Sequence, residues 1–180
     1  MKIVPLKSLG AAQWEQAAQM LYDEMPQGWP TIDDARQELR EICEKQFDGE
    51  PELLAALASE EVIGWVGILP DYGGRVWEIH PLVVRGDHQG RGIGRVLMIA
   101  IEEVARARGG QTISLGTDDE TSESSLSGVD LYDDLPQQLR DFEPGRHPSA
   151  FYMKLGYRLV GVMPDANGPG KPDIFMAKRL

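Results

Sequence analysis

Gln89-Gly90-Arg91-Gly92-Ile93-Gly94 places three glycines at alternate positions, between a segment of strand character and one of helical character. Where a helix begins, its first backbone N–H groups have no intrahelical acceptor, and glycine lets a bulky anion approach them without a Cβ in the way. The chemistry this suits is binding of a diphosphate, with Arg91 and Arg95 adding positive charge. Two commoner phosphate loops are excluded. The Lys-Ser/Thr pair of a P-loop is missing, and Arg95 stands where a dinucleotide fingerprint needs its third glycine. From these residues alone a plain tight turn stays open, as does a regulatory domain that uses the loop for nucleotide phosphates.

A second chemical feature precedes the loop. In a strand over Arg75 to Val84, the side-chain period of two puts Glu78, His80, Leu82 and Val84 on one face, so a carboxylate and an imidazole share a surface. Pro81 has no N–H to donate and is poorly tolerated inside a central strand, which predicts a bulge there and a main-chain donor left unspent. The plainer readings are an exposed strand carboxylate for Glu78 and a satisfied structural histidine for His80.

The elements that must position these groups are legible as periodic runs. Trp14, Ala17, Ala18, Leu21 and Met25 recur at helical spacing, and after Pro26 to Pro30 a second set follows at Ile32, Ala35, Leu39, Ile42 and Cys43, with Thr31 as its cap. Leu53 to Ala58 and Val62 to Leu69 read as a hairpin ended by Pro70 and Gly73-Gly74. Beyond the glycine loop, Ile93 to Ala105 form an amphipathic helix that stops at Gly109-Gly110, and Gln111 to Leu115 form a buried strand. Strand, loop, helix and strand then make a right-handed crossover between parallel strands. Pro148 to Leu155 reads as a helix, Tyr157 to Val162 and Ile174 to Lys178 as strands, and Asp165 to Pro172 as a turn region. The whole chain reads as one domain over residues 1–180.

Composition narrows the partners. The 180 residues carry a formal net charge of −11, which argues against nucleic acid and toward cationic ligands. Thr117 to Glu143 holds nine carboxylates against Arg140 alone, which is either a solvated loop or a surface that concentrates polycations. Asp118 and Asp119 follow the strand ending at Leu115, at the carboxyl edge where α/β sheets place ligands, and are expected to contact a cationic acceptor. Cys43 is the single cysteine, so no internal disulfide or cysteine-based metal cluster can form; it reads as a core residue in a reducing cytoplasm, and no metal is expected. The N-terminal residues resemble no signal peptide, and no stretch approaches the roughly 20 apolar residues of a membrane span.

Gln89-x-x-Gly92-x-Gly94 with the helix after it resembles the coenzyme A motif of the GNAT acetyltransferases, and Phe151 to Tyr157 resembles a second element of that family, in the required order. Trp77 to Val84, Leu115 to Asp119, Gly161 to Gly168 and Lys171 to Ile174 are similar to the aminoglycoside 6′-N-acetyltransferases. The resemblance covers about Gly64 to Lys178. Trp29-Pro30 is similar to a tryptophan-containing substrate loop.

What the resemblance implies is an α/β (α+β) fold: one twisted mixed sheet of six to seven strands, helices on both faces, and two central parallel strands splayed apart. It implies acetyl-CoA as cosubstrate, held by Leu82, Val83, Val84, Gln89, Gly90, Arg91, Gly92, Ile93, Gly94, Arg95 and Tyr152. The Leu82 N–H would stabilise the oxyanion, Glu78 would serve as base through a water with His80 assisting, and Tyr152 would protonate the departing thiolate. Trp29, Glu78, Asp118 and Asp119 would meet a small cationic amine, and the chain would be a homodimer. An aminoglycoside, a polyamine and a basic peptide all fit that acceptor. A coenzyme A-binding module without catalysis is the alternative of another class.

Overall fold

The computed structural model describes residues 1–44 and 52–180. In chain order its elements are β1 (Lys2–Pro5), α1 (Ala11–Glu24), α2 (Ile32–Glu44), β2 (Glu52–Ala58), β3 (Glu61–Asp71), β4 (Val76–Val84), α3 (Ile93–Ala107), β5 (Thr112–Asp118), α4 (Leu135–Arg140), α5 (Ser149–Lys154), β6 (Arg158–Met163) and β7 (Asp173–Arg179). The seven strands form a sheet in the order β1-β2-β3-β4-β5-β7-β6. The chain divides into two compact units, residues 1–113 with Leu180, and residues 114–179.

In the first unit the second helix starts where the sequence predicts it. The Thr31 hydroxyl accepts the Asp34 N–H at 3.2 Å while the Asp34 carboxylate accepts the Thr31 N–H at 3.1 Å, so two orphan donors are satisfied reciprocally. The apolar stripes of α1 (Ala17, Ala18, Leu21) and α2 (Ala35, Leu39, Ile42) pack with Trp65 and Val83 into one buried cluster. Trp65 is fully buried, and its indole N–H donates to the Ala17 carbonyl at 3.1 Å. Cys43 does not join this core, contrary to the sequence expectation. It is exposed, because it lies one residue past Ile42 and helical rotation carries it off the Ala35-Leu39-Ile42 stripe.

Strand β3 has helices on both its faces. Trp65 faces α1 and α2, whereas the neighbouring Gly64 faces α3, where a Cβ would meet Leu97 and Ile93 at 3.2 and 3.3 Å. Glycine there lets α3 lie close on the sheet. Alternate residues point to opposite faces, and a strand covered twice reads as a continuous apolar run, which Val62 to Ile68 is. Two boundaries differ from the sequence reading. The hairpin continues through Pro70, which pairs with Trp77, and β1, a four-residue strand against β2, had no periodic signal to reveal it.

In the second unit β6 and β7 pair antiparallel, from Arg158 opposite Ala177 to Met163 opposite Asp173, with a register shift at Leu159/Gly161. The acidic segment is ordered. Leu126 and Leu131 are buried, Gly128 N–H donates to Gly170 O at 2.9 Å, and Asp134 caps the short helix α4 through the Gln137 N–H. Of its carboxylates Asp118, Asp130, Asp133, Asp134, Asp141 and Glu143 stay exposed. Among the described residues no helix is long and apolar enough to cross a membrane.

Candidate active site

The predicted bulge in β4 lies at Pro81. Val66 pairs with Leu82 and Ile68 with Ile79, so β4 carries one residue more than β3 across the interval. Gly67 faces the bulge, where a Cβ would stand 2.4 Å from the His80 carbonyl oxygen, and only glycine permits that approach. The His80–Pro81 peptide is cis.

Ladder parity fixes the direction of the Leu82 amide. Arg85 N–H donates to Ile63 O at 3.1 Å, which makes Ile63 and Arg85 a hydrogen-bonded pair. Such pairs alternate in an antiparallel ladder, so Trp65 and Val83 bond and Val66 and Leu82 do not. The Leu82 N–H therefore points away from β3. It is not spent on that neighbour.

Glu78 is exposed, and Trp77, Ile79, Pro81 and Val83 are buried. The extra residue of the bulge reverses the facing along β4: Glu78, opposite Leu69, and His80 lie on the side of α1 and α2, whereas Leu82 and Val84, opposite Val66 and Gly64, lie on the side of α3, contrary to the sequence reading that put all four on one face. His80 Nε2 lies 3.1 Å from Oε1 of Glu38, and the Trp29 indole N–H donates to Oε2 of the same carboxylate at 3.3 Å. The Trp29 and His80 rings meet edge to face, with centroids 6.4 Å apart. The first unit thus brings Trp29, Glu38 and His80 together, and Glu38 is a residue the sequence reading missed. No local pattern could have shown it, since its partners are 9 and 42 residues away and on other elements.

The glycine loop has the predicted form. Gly90 and Gly92 have φ of 71° and 81°, a left-handed backbone that glycine adopts without strain. The helix closes its first bond from Val96 N–H to Gly92 O at 3.1 Å, leaving the N–H groups of Ile93, Gly94 and Arg95 with no helical acceptor. Arg91 and Arg95 are exposed beside them. The Gln89 side chain is turned to a structural task. It donates to Val84 O at 3.0 Å and to Glu24 at 3.1 Å, while Glu24 also accepts the Gly86 N–H at 2.6 Å. Glu24, at the last residue of α1, was likewise invisible to sequence pattern and anchors the loop's approach.

In the second unit the paired acids separate. Asp118 ends β5, three residues beyond the predicted strand, and is exposed with the Asn167 amide donating to its carboxylate. Asp119 is fully buried, and its oxygens accept the N–H groups of Glu123 at 2.8 Å and Ser124 at 2.9 Å. Burial alone would raise its carboxyl, but those donors and nearby His147 outweigh burial and hold it below the ordinary value of 3.8. Asp119 therefore orders the acidic segment instead of facing an acceptor, a correction to the sequence expectation. His147, also buried, accepts the Ser149 N–H on Nδ1 and so donates from Nε2 to the Asp118 carbonyl. Tyr152, on α5, stacks edge to face on Tyr157 at 5.7 Å, and burial pushes its phenol up to about 12. It stays a proton donor throughout the neutral range.

Among the described residues no cluster of His, Cys, Asp or Glu is arranged to hold a metal ion. The model of the acetyltransferase (GNAT) family matches residues 14–135. No curated protein matches the chain. Among solved structures it is similar to an aminoglycoside 6′-N-acetyltransferase complexed with coenzyme A, at 36% identity over 99% of this chain and 97% of that one, with a TM-score of 0.91. The aminoglycoside 6′-N-acetyltransferase from Enterococcus faecium matches at 36% identity with a TM-score of 0.89, over 99% and 97% of the two chains. An aminoglycoside 6′-acetyltransferase of type Ii matches at 34% and 0.76, with the same coverage.

Proposed function

The chain belongs to the GNAT family of acetyltransferases, which draw their acetyl group from acetyl-CoA, and on that premise we propose that it acetylates a primary amine of an aminoglycoside at the 6′ position. The observation that carries the acceptor is the likeness, over nearly the full length of both chains, to aminoglycoside 6′-N-acetyltransferases. The exposed carboxylates of the segment after β5 support it, because they raise the local concentration of a polycation.

In this reading the N–H groups of Ile93, Gly94 and Arg95, with Gly90, Gly92 and the guanidinium groups of Arg91 and Arg95, hold the coenzyme diphosphate. Leu82, Val83 and Val84 line the arm that carries the thioester. The Leu82 N–H donates to the thioester oxygen as negative charge collects there. Glu78 takes the proton that the acceptor ammonium must lose, through an ordered water, and Tyr152 gives its proton to the departing thiolate. Trp29 and Asp118 hold the acceptor. A homodimer in the cytoplasm completes the reading.

The test is release of coenzyme A thiol with kanamycin, tobramycin, spermidine and a basic peptide, followed by mass determination of the product. A single added acetyl on kanamycin and tobramycin, absent from an analogue with a hydroxyl at the 6′ position, is the expected result. Faster transfer to spermidine or to the peptide would move the acceptor out of the aminoglycoside class. Coenzyme A binding with no thiol released from any amine would favour a binding module.

The loop anchor has its own consequence. Glu24→Ala removes an acceptor for Gly86 N–H and Gln89 Nε2. Hydrogen bonds to a charged group contribute about 1.5–3 kcal/mol, so coenzyme A affinity is expected to fall on the order of 10-fold. Isothermal titration with coenzyme A measures this, and an unchanged affinity would show that the loop holds its form without Glu24.

A further inference from the structure

His80 and Trp29 converge on one carboxylate that the proposed chemistry has not used. Glu38 projects from α2, and its side chain is only 20% exposed. Its two oxygens are divided between partners, Oε1 to His80 Nε2 at 3.1 Å and Oε2 to the Trp29 indole N–H at 3.3 Å. An ionised carboxylate offers acceptors only, and the indole offers a donor only. The proton of the neutral imidazole therefore sits on Nε2, which leaves Nδ1 as a lone pair. A ring flip would put Cε1 in the place of Nε2 and break the bond to Glu38.

We propose that Glu38 is a positioning residue, which fixes the Nε2–H tautomer of His80 so that Nδ1 receives a hydrogen bond from the acceptor ammonium and turns another of its N–H bonds toward Glu78. By holding Trp29 on its second oxygen, Glu38 sets the loop before α2 and the imidazole of β4 in one step. The orientation of the acceptor rests on the acetyl-transfer reading; the tautomer does not.

Glu38→Gln separates these. A glutamine has one amide oxygen for two donors. With that oxygen on the Trp29 indole, its NH2 faces Nε2, which must become the lone pair, and the ring proton moves to Nδ1. Trp29→Phe in the same chain removes the competing donor, frees the amide oxygen to turn to His80, and restores Nε2–H. Two-bond 1H–15N spectra of 15N-labelled protein without substrates, at a pH where the ring is neutral, read the tautomer directly. Expected are Nε2–H in the native protein, Nδ1–H in Glu38→Gln, and Nε2–H again in the double variant.

With an accepted aminoglycoside, Glu38→Gln is expected to lower kcat/KM for the amine roughly 10- to 100-fold, the loss of one hydrogen bond to a charged group, while KM for acetyl-CoA stays at the native value. A native ring already in the Nδ1–H form, or an unchanged tautomer in Glu38→Gln, overturns the proposal. So does a switched tautomer with native kcat/KM. If no amine is acetylated even by the native protein, the functional reading fails by itself, and the ring spectra still decide whether Glu38 sets the tautomer.

Discussion

Glu78→Gln is expected to lower turnover by on the order of 10²- to 10⁴-fold, the usual contribution of a positioned general base, while coenzyme A affinity stays close to native. The two effects separate because the groups sit on different elements. Glu78 is exposed on β4, and the proposed diphosphate donors begin at the N-terminus of α3. Glutamine keeps the size and the hydrogen-bonding reach of the side chain but cannot take a proton. An exposed site tolerates the exchange, so stability should hardly change. Single-turnover rates with saturating acetyl-CoA, set beside coenzyme A titration, make the comparison. Turnover at the native level would remove Glu78 from the role of base and leave proton removal to His80 or to water.

The second large effect is expected from Gly67→Ala, a change in a residue outside the proposed set of catalytic and binding groups. Its Cβ would stand 2.4 Å from the His80 carbonyl oxygen and 3.6 Å from Leu53. Backbone cannot rotate aside as a side chain can, so β3 and β4 must part at the bulge. Overpacking of this kind costs typically 1–3 kcal/mol. In the proposed reaction the Leu82 N–H, just beyond the bulge, serves the oxyanion, and loss of such a donor lowers kcat on the order of 10²- to 10³-fold. Gly64→Ala, on the same strand, is the control. Its Cβ would meet Val83 O at 3.1 Å and the side chains of Leu97 and Ile93, on the α3 side of the strand. It should lower the melting temperature with a much smaller fall in kcat. Equal losses of kcat in the two variants, once matched for stability, would count against a specific role for the bulge.

Several features of the site follow from residue chemistry that acts over a few positions. Proline lacks an N–H wherever it stands, so Pro81 could be read as a bulge before any partner strand was known, and β4 carries its extra residue there. The glycines at 90 and 92 announced a left-handed turn into a helix, and both adopt positive φ. Thr31 and Asp34 formed the predicted helix start because a cap needs only three residues of separation. The alternation along β4 placed Glu78 and His80 on one face for the same reason.

What escaped the sequence is what depends on distance along the chain. Four residues at Lys2–Pro5 contain too short a pattern to show a period, and pairing with β2 makes them a strand. Glu24 and Glu38 sit on helices whose polar positions look alike in sequence. Only folding brings one to Gly86 and Gln89 and the other to His80 and Trp29. Adjacent aspartates at 118 and 119 are chemically identical, yet one is exposed and the other spends its carboxylate on two main-chain donors. The sequence by itself determined the form of the glycine loop, the bulge and the face that Glu78 and His80 share, because each is set by the conformational limits of single residues and by side-chain period. Tertiary structure alone decided which carboxylates hold the loop and the imidazole, because a long-range hydrogen bond exists only once packing has set both ends in place.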